Sequence, residues 1–291
     1  MKRGVYPASV TPYDSKGQVD LAAVARLMAW FKSNGCTGVV LAGTNGEGPS
    51  LSAVEKRDLV KAAVGLADGL EVVLGIATAS LDEAKWLCRQ AHSAGAVAAL
   101  VMPPAYFKDV TEEGIALWFE ALLDSSPLPI LVYNFPSRTG ITLSANLMAR
   151  LARHPQMLGL KDSSGNADNL ADYSAALADT EKLMFVGDET LLARALAQGW
   201  TGTISGAANL LPAWLSQIVS EWDLNQESAE TKFAIIEPVL KAIRKCPQPG
   251  SNKAMLHEMG IIPSADVRLP LEPVPAERFE EALSKVRELV R

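Results

Sequence analysis

The strongest constraint on how this chain can fold is a set of short apolar runs, each followed by a longer segment with apolar residues at helical spacing. Eight such runs span residues 4–9, 38–42, 72–76, 98–102, 130–133, 157–161, 183–186 and 202–205. They are short, rich in Val, Leu and Ile, and almost free of charge. That is the composition of strands buried on both faces, as in a parallel sheet covered by helices. After the first run Leu21, Val24, Leu27, Met28 and Phe31 recur at helical intervals, and Leu59, Val60, Ala63 and Val64 do so after the second. Ser52 with Glu55, and Ser80 with Glu83, fit the capping-box pattern. Thr111 and Asp188 suit helix N-caps, and Gly35, Gly95 and Gly199 fall where helices would end before the next strand.

A succession of βα units without a break predicts an α/β fold of the (β/α)8 TIM-barrel type over residues 1–220. The competing open doubly wound sheet would want a GxGxxG turn after the first strand, and none is present. Beyond residue 220 the strand pattern stops. Helical patterns at 233–243, 252–259 and 276–290 are broken by Pro-rich stretches at 246–250 and 262–275. We read 221–291 as a C-terminal helical region attached to the barrel.

A net charge of -6 and a pI near 5.2 give no electrostatic case for nucleic acid or an anionic membrane. The first residues lack the apolar core of a secretory signal, no apolar run is long enough to span a bilayer, and the expected compartment is the cytoplasm. Cys36, Cys88 and Cys246 are odd in number and unpaired in spacing, which suits reduced thiols. His92, His154 and His257 are far apart, with no HxH, HExxH or CxxC spacing, so no metal is expected.

In such a barrel the active site is built from the loops that leave the C-terminal ends of the strands. Four stretches stand there. Gly43-Thr44-Asn45-Gly46-Glu47-Gly48 follows the second strand, and Tyr133 to Gly140 follows the fifth. Lys161 ends the sixth, and Gly187-Asp188-Glu189 follows the seventh. Lys161 has two readings: a rim lysine with its ammonium in water, or an amine nucleophile. In the second, partial desolvation favours the neutral amine that attacks a carbonyl to form a Schiff base. The Gly43 to Gly48 loop is either a tight turn or an exposed set of backbone N–H groups for an anion, with Thr44 adding a hydroxyl. Tyr133 can exchange a proton, and Arg138 can read a carboxylate in bidentate fashion. Asp162, Ser163 and Ser164 read first as cap and turn residues. Glu47 reads as a solvated or helix-capping carboxylate as readily as a substrate contact. Trp30, Trp86 and Trp118 read as packing residues within helices.

Three motifs then carry a resemblance that extends over nearly the whole chain. Gly43-Thr44-Asn45-Gly46-Glu47, Tyr133-Asn134-Phe135-Pro136-Ser137-Arg138-Thr139-Gly140 and Gly159-Leu160-Lys161-Asp162-Ser163 closely resemble the signatures of the dihydrodipicolinate synthase / N-acetylneuraminate lyase family. The resemblance implies Schiff-base pyruvate chemistry without a metal or organic cofactor. It makes Lys161 the imine-forming lysine, Tyr133 the proton-shuttling phenol and Thr44 the relay hydroxyl. The backbone N–H groups of Thr44 and Asn45 become the carboxylate cradle. Arg138 matches the arginine that holds the carboxylate of the second substrate, and Gly187 and Ile204 match positions whose backbone lines the pocket. A homotetramer built from dimers, or a dimer, is the implied assembly. Two positions depart from the synthase pattern: Asn45 stands where synthases carry a second threonine, and Phe107, with Tyr106 beside it, stands at the inter-subunit relay tyrosine.

The expected function is therefore a class I carbon–carbon lyase or synthase that joins pyruvate to a carboxylate-bearing aldehyde, as in dihydrodipicolinate synthase. The first alternative is a 2-keto-3-deoxy sugar-acid or 4-hydroxy-2-oxoglutarate aldolase. From other classes come a non-catalytic keto-acid-binding regulator, which would have no need of a nucleophile, and a phosphate-dependent barrel enzyme, which rests on the Gly43 to Gly48 loop alone.

Overall fold

A computed structural model describes residues 1–290 of the 291-residue chain. The eight runs are strands: β1 Gly4–Pro7, β2 Gly38–Leu41, β3 Glu71–Ile76, β4 Ala98–Val101, β5 Ile130–Asn134, β6 Met157–Asp162, β7 Leu183–Val186 and β8 Gly202–Ser205. All the pairings are parallel, in the order β1-β8-β7-β6-β5-β4-β3-β2. A parallel bridge between Ala8 and Val40, with hydrogen bonds from Thr37 N to Val5 O and from Ser9 N to Val40 O, joins β1 to β2 and completes the ring.

The barrel helices are α1 Leu21–Ser33, α2 Ala53–Gly65, α3 Leu81–Ala94 and α4 Glu112–Ser125. After them come the one-turn α5 Pro136–Thr139, then α6 Ala145–Leu151, α7 Asp168–Leu177, α8 Leu192–Ala197 and α9 Pro212–Glu221. Their starts follow the caps in the sequence. Ser52 and Glu55 close a full capping box. Ser80 and Glu83 form only half of one, because the Glu83 carboxylate accepts from the Thr78 hydroxyl instead. Thr111 caps α4, and the Asp188 side chain accepts from Thr190 N at the turn after β7. The core has two layers. Tyr6, Val40, Val73, Leu100, Leu131 and Phe185 fill the barrel interior, and a larger shell lies between strands and helices. Every strand is thus buried on both sides, which is why the runs show no alternation.

The tail is helical but longer than its pattern suggested. It comprises α10 Gln226–Lys245, α11 Gly250–Glu258, a short 3-10 turn at Ala276–Arg278, and α12 Glu280–Leu289. The first turns of α10 are polar, and the Asn225 side chain caps them by accepting from Ser228 N. The helix expected at 276–290 is divided at Phe279, between the 3-10 turn and α12. Among the described residues no helix is long and apolar enough to cross a membrane. Nor, among the described residues, is any group of three or more His, Cys, Asp or Glu side chains placed to hold a metal. All three cysteines are free and buried.

Candidate active site

Lys161 reaches the barrel interior because β6 contains an irregularity. Ile130 pairs with Met157, but the next residue, Leu131, pairs with Gly159, so β6 holds one extra residue. In continuous register Lys161 would lie opposite Asn134, whose side chain points out to Leu143 N. The added residue sets it opposite Tyr133 instead, on the inward face. Lys161 is only 4% exposed, and its Nζ stands 4.1 Å from the centroid of the Tyr133 ring. This excludes the solvated rim lysine as a reading.

The outward residue of each pair supports the inward one. Asn134 Nδ2 donates to Asp162 Oδ1 at 2.6 Å, and the Ser164 hydroxyl donates to Asp162 Oδ2 at 2.7 Å. Burial pushes the Asp162 carboxyl up, and these donors oppose the shift. Asp162 and Ser164 thus hold the turn after β6, as expected of turn residues, but neither caps a helix, since Ala167 stands at the N-cap of α7. Ser163 instead lines the cavity beside Lys161, and its hydroxyl donates to Tyr133 Oη at 3.4 Å.

The cavity has two connecting lobes that share Gly43, Thr44, Tyr133 and Arg138 in their walls. The polar lobe, about 440 Å³, holds Lys161, Ser163, Asn45 and Gly187. The apolar lobe, about 620 Å³, runs along Ile76, Met102, Tyr106 and Leu271. The four strand-end stretches singled out in the sequence therefore meet, although far apart in the chain. Gly187 fits tightly: a Cβ there would lie 1.9 Å from Ser163 Oγ and 2.7 Å from Lys161 Cε. The Ile204 side chain is fully buried in the barrel interior. Gly206, two residues further on, lines the wall.

The Gly43 to Gly48 loop is held in an unusual backbone path. Ala42 and Glu47 both have φ near +53°, in the left-handed region, a conformation that persists where the surroundings impose it. Among the described residues no acceptor is paired with the backbone N–H of Thr44 or Asn45, which leaves both donors open at the cavity wall. Glu47 anchors one end of the loop, and its carboxylate is buried rather than solvated or capping a helix. It forms an ion pair with the fully buried Lys253 of α11 and accepts from Arg268 N at 2.8 Å. Lys253 Nζ also donates to Asp266 O at 2.6 Å and stands 3.9 Å above the Tyr13 ring. Burial lowers the Lys253 ammonium to about 8 against the pull of Glu47. Asn252, the preceding residue of α11, donates to Asn45 Oδ1. Neither Asn252 nor Lys253 stood out in the sequence, since their partners are some 200 positions away.

Two arginines line the polar lobe, and they differ in availability. Arg244 of α10 is engaged by Asp188 at 2.9 Å and Glu189 at 3.6 Å. Arg138, on α5, forms no ion pair among the described residues and is exposed at the mouth. Lys108 Nζ donates to Thr139 O at 2.8 Å, tying the loop after β4 to the turn that carries Arg138. In that loop Tyr106 and Phe107 are 79% and 66% exposed, edge to face at 5.3 Å, and only Tyr106 lines the cavity.

A desolvated lysine, a phenol beside it, open backbone donors and a free guanidinium are a site for an anionic carbonyl compound. The chain as a whole is similar to known proteins. The sequence matches the dihydrodipicolinate synthetase family over residues 1–289. It is 36% identical to 4-hydroxy-tetrahydrodipicolinate synthase of Hyphomonas neptunium, covering 93% of this chain and 92% of that one. It is 32% identical to the enzyme of the same name from Methanothrix thermoacetophila, covering 99% and 98%. Among solved structures it superposes on a chloride-inhibited dihydrodipicolinate synthase from Acinetobacter baumannii in complex with pyruvate. That match has a TM-score of 0.93 and 29% identity, over 99% of both chains.

Proposed function

The chain belongs to the dihydrodipicolinate synthetase family, and from that premise we propose that it is a class I, lysine-imine carbon–carbon lyase of the 4-hydroxy-tetrahydrodipicolinate synthase type. The observation that carries the assignment of roles is the pairing of Lys161 with Tyr133 across β5 and β6, with Nζ 4.1 Å from the ring, on the wall of the cavity that also holds Thr44.

The Lys161 amine adds to the ketone carbon of pyruvate, and loss of water gives the imine. The imine is an electron sink, so a proton leaves the pyruvate methyl to form the enamine, with no metal or organic cofactor required. The enamine carbon attacks the aldehyde carbon of the second substrate, the aldehyde oxygen takes up a proton to become a hydroxyl, and the imine re-formed on Lys161 is hydrolysed by water, which releases the keto-acid product and the free amine. Tyr133 and Thr44 pass these protons, with Ser163 beside the phenol. The backbone N–H groups of Thr44 and Asn45 receive the pyruvate carboxylate. Gly187 leaves room for the imine beside Lys161.

The second substrate is an aldehyde that carries a carboxylate, because Arg138 is the cavity arginine whose charge is not already neutralised. Aspartate semialdehyde is the aldehyde that the resemblance to dihydrodipicolinate synthase implies. The exposed Tyr106 and Phe107 arm is apolar surface that a second copy of this chain would cover, consistent with a homodimer or a tetramer built from dimers. A panel of aldehydes with and without a carboxylate, run on the native chain and on Arg138→Ala, tests the substrate assignment. Loss of a charge-assisted contact predicts a fall in kcat/KM of roughly 10- to 100-fold for aspartate semialdehyde and little change for neutral aldehydes. An unchanged kcat/KM for aspartate semialdehyde in Arg138→Ala, or neutral aldehydes used by the native chain as well as the carboxylate-bearing one, would overturn it.

A further inference from the structure

The hydrogen bonds around Asn45 determine which way its amide faces. Asn252 Nδ2 stands 3.1 Å from Gly206 O and 3.1 Å from the Asn45 side chain. A backbone carbonyl only accepts, so the Asn252 atom facing Gly206 must be its nitrogen. That nitrogen also donates to Asn45, so Asn45 turns Oδ1 toward it and Nδ2 away. Among the described residues no acceptor is paired with Asn45 Nδ2, and Asn45 is half-buried in the wall of the lobe that holds Lys161. We propose that Asn252 is a positioning residue, which locks the Asn45 amide so that Nδ2 joins the backbone N–H groups in binding the carboxylate of the keto acid. The proposal rests on the pyruvate reading above.

Three further observations support it. First, Gly206 O already accepts from Asn209 N at 3.2 Å and from Asn209 Nδ2 at 2.9 Å, so it does not need Asn252. Second, Asn252 is fully buried and its own Oδ1 has no donor, an arrangement that costs stability and that an apolar residue would avoid. A buried amide kept under those terms points to use of its donor, and apart from Gly206 O the atom that receives it is Asn45 Oδ1. Third, the Asn45 amide lies against Gly206, where a Cβ would sit 2.8 Å from Nδ2. An amide is ambivalent: rotated by half a turn it would present its oxygen to a carboxylate and repel it. A hydroxyl in its place would find its own rotamer and need no such guide.

The test is a pyruvate titration in which the imine is trapped on Lys161 with borohydride and measured by peptide mass spectrometry. The proteins compared are the native chain, Asn252→Leu, Asn45→Thr and the double variant. Loss of the lock in Asn252→Leu is expected to raise the half-saturating pyruvate about tenfold, with adduct still formed on Lys161 at saturation. In the Asn45→Thr background the same change is expected to shift it by less than about twofold. Asn252→Asp, which keeps the shape but draws Asn45 Nδ2 toward itself, is expected to shift it more than Asn252→Leu does. Equal shifts in both backgrounds, no shift in either, or a smaller shift in Asn252→Asp would overturn the proposal. Absence of any Lys161 adduct in the native chain would instead overturn the pyruvate reading, and this inference with it.

Discussion

Replacing Lys253 by methionine tests how the C-terminal region holds the catalytic loop. Lys253 and Glu47 are both fully buried at the side chain, and they face one another as an ion pair. The replacement has nearly the same length and volume, so the packing change is small, while the charge of Glu47 is left buried without its cation. Glu47 keeps one donor, Arg268 N at 2.8 Å. Lys253 also gives up its bond to Asp266 O and its place over Tyr13. Breaking a buried pair from one side costs about 3–5 kcal/mol, and we expect Lys253→Met to lose that much in urea unfolding followed by far-UV circular dichroism. The double variant Lys253→Met with Glu47→Gln removes the stranded charge, so it should recover to within about 2 kcal/mol of the native chain, since neutralising both members of a buried pair is far cheaper than neutralising one. A cost below about 1 kcal/mol for the single change would refute the reasoning, as would a double variant no more stable than the single one.

Gly187→Ala is expected to keep the fold and lower kcat by about 10²-fold, because the added Cβ would displace Lys161 Cε, 2.7 Å away, from its reacting position. Adding Ser163→Ala relieves only the contact with Ser163 Oγ, so kcat should stay low in steady-state assays of the double variant. Acid stability reports on the clamp from its outer side. The Arg268 guanidinium, 2.6 Å from Glu55, holds that carboxyl down from 4.5 to about 2. Between those values the folded state binds fewer protons than the unfolded one, so the contribution is complete above pH 4.5 and is lost as pH falls toward 2. Urea midpoints measured across that range should fall less steeply in Arg268→Gln than in the native chain, and an unchanged slope would contradict the assignment.

The barrel was legible because strands buried on both faces leave runs that few other arrangements produce, and because caps such as Ser52 and Thr111 do their work within a few residues. Strand ends were less so. β5 and β6 each run one residue past the apolar pattern, to Asn134 and Asp162, because those two polar side chains bond to each other across the sheet. The extra residue in β6 left no mark, since an unbroken apolar run reads the same in either register. Lys161, Tyr133, Thr44 and Arg138 could be found because their residue types and strand-end positions suggest chemistry. Glu47 was misread, and Asn252 and Lys253 were passed over, for one physical reason. Their roles are set by partners supplied from the other end of the chain, and such long-range pairs have no local pattern.

The central claim is that Lys161 is the nucleophile that takes pyruvate as an imine. Incubation with pyruvate, reduction with borohydride and peptide mapping tests it directly. The account predicts one reduced pyruvyl adduct, on the peptide that contains Lys161, and none in Lys161→Arg. An adduct on another lysine, or no adduct at saturating pyruvate, would contradict it.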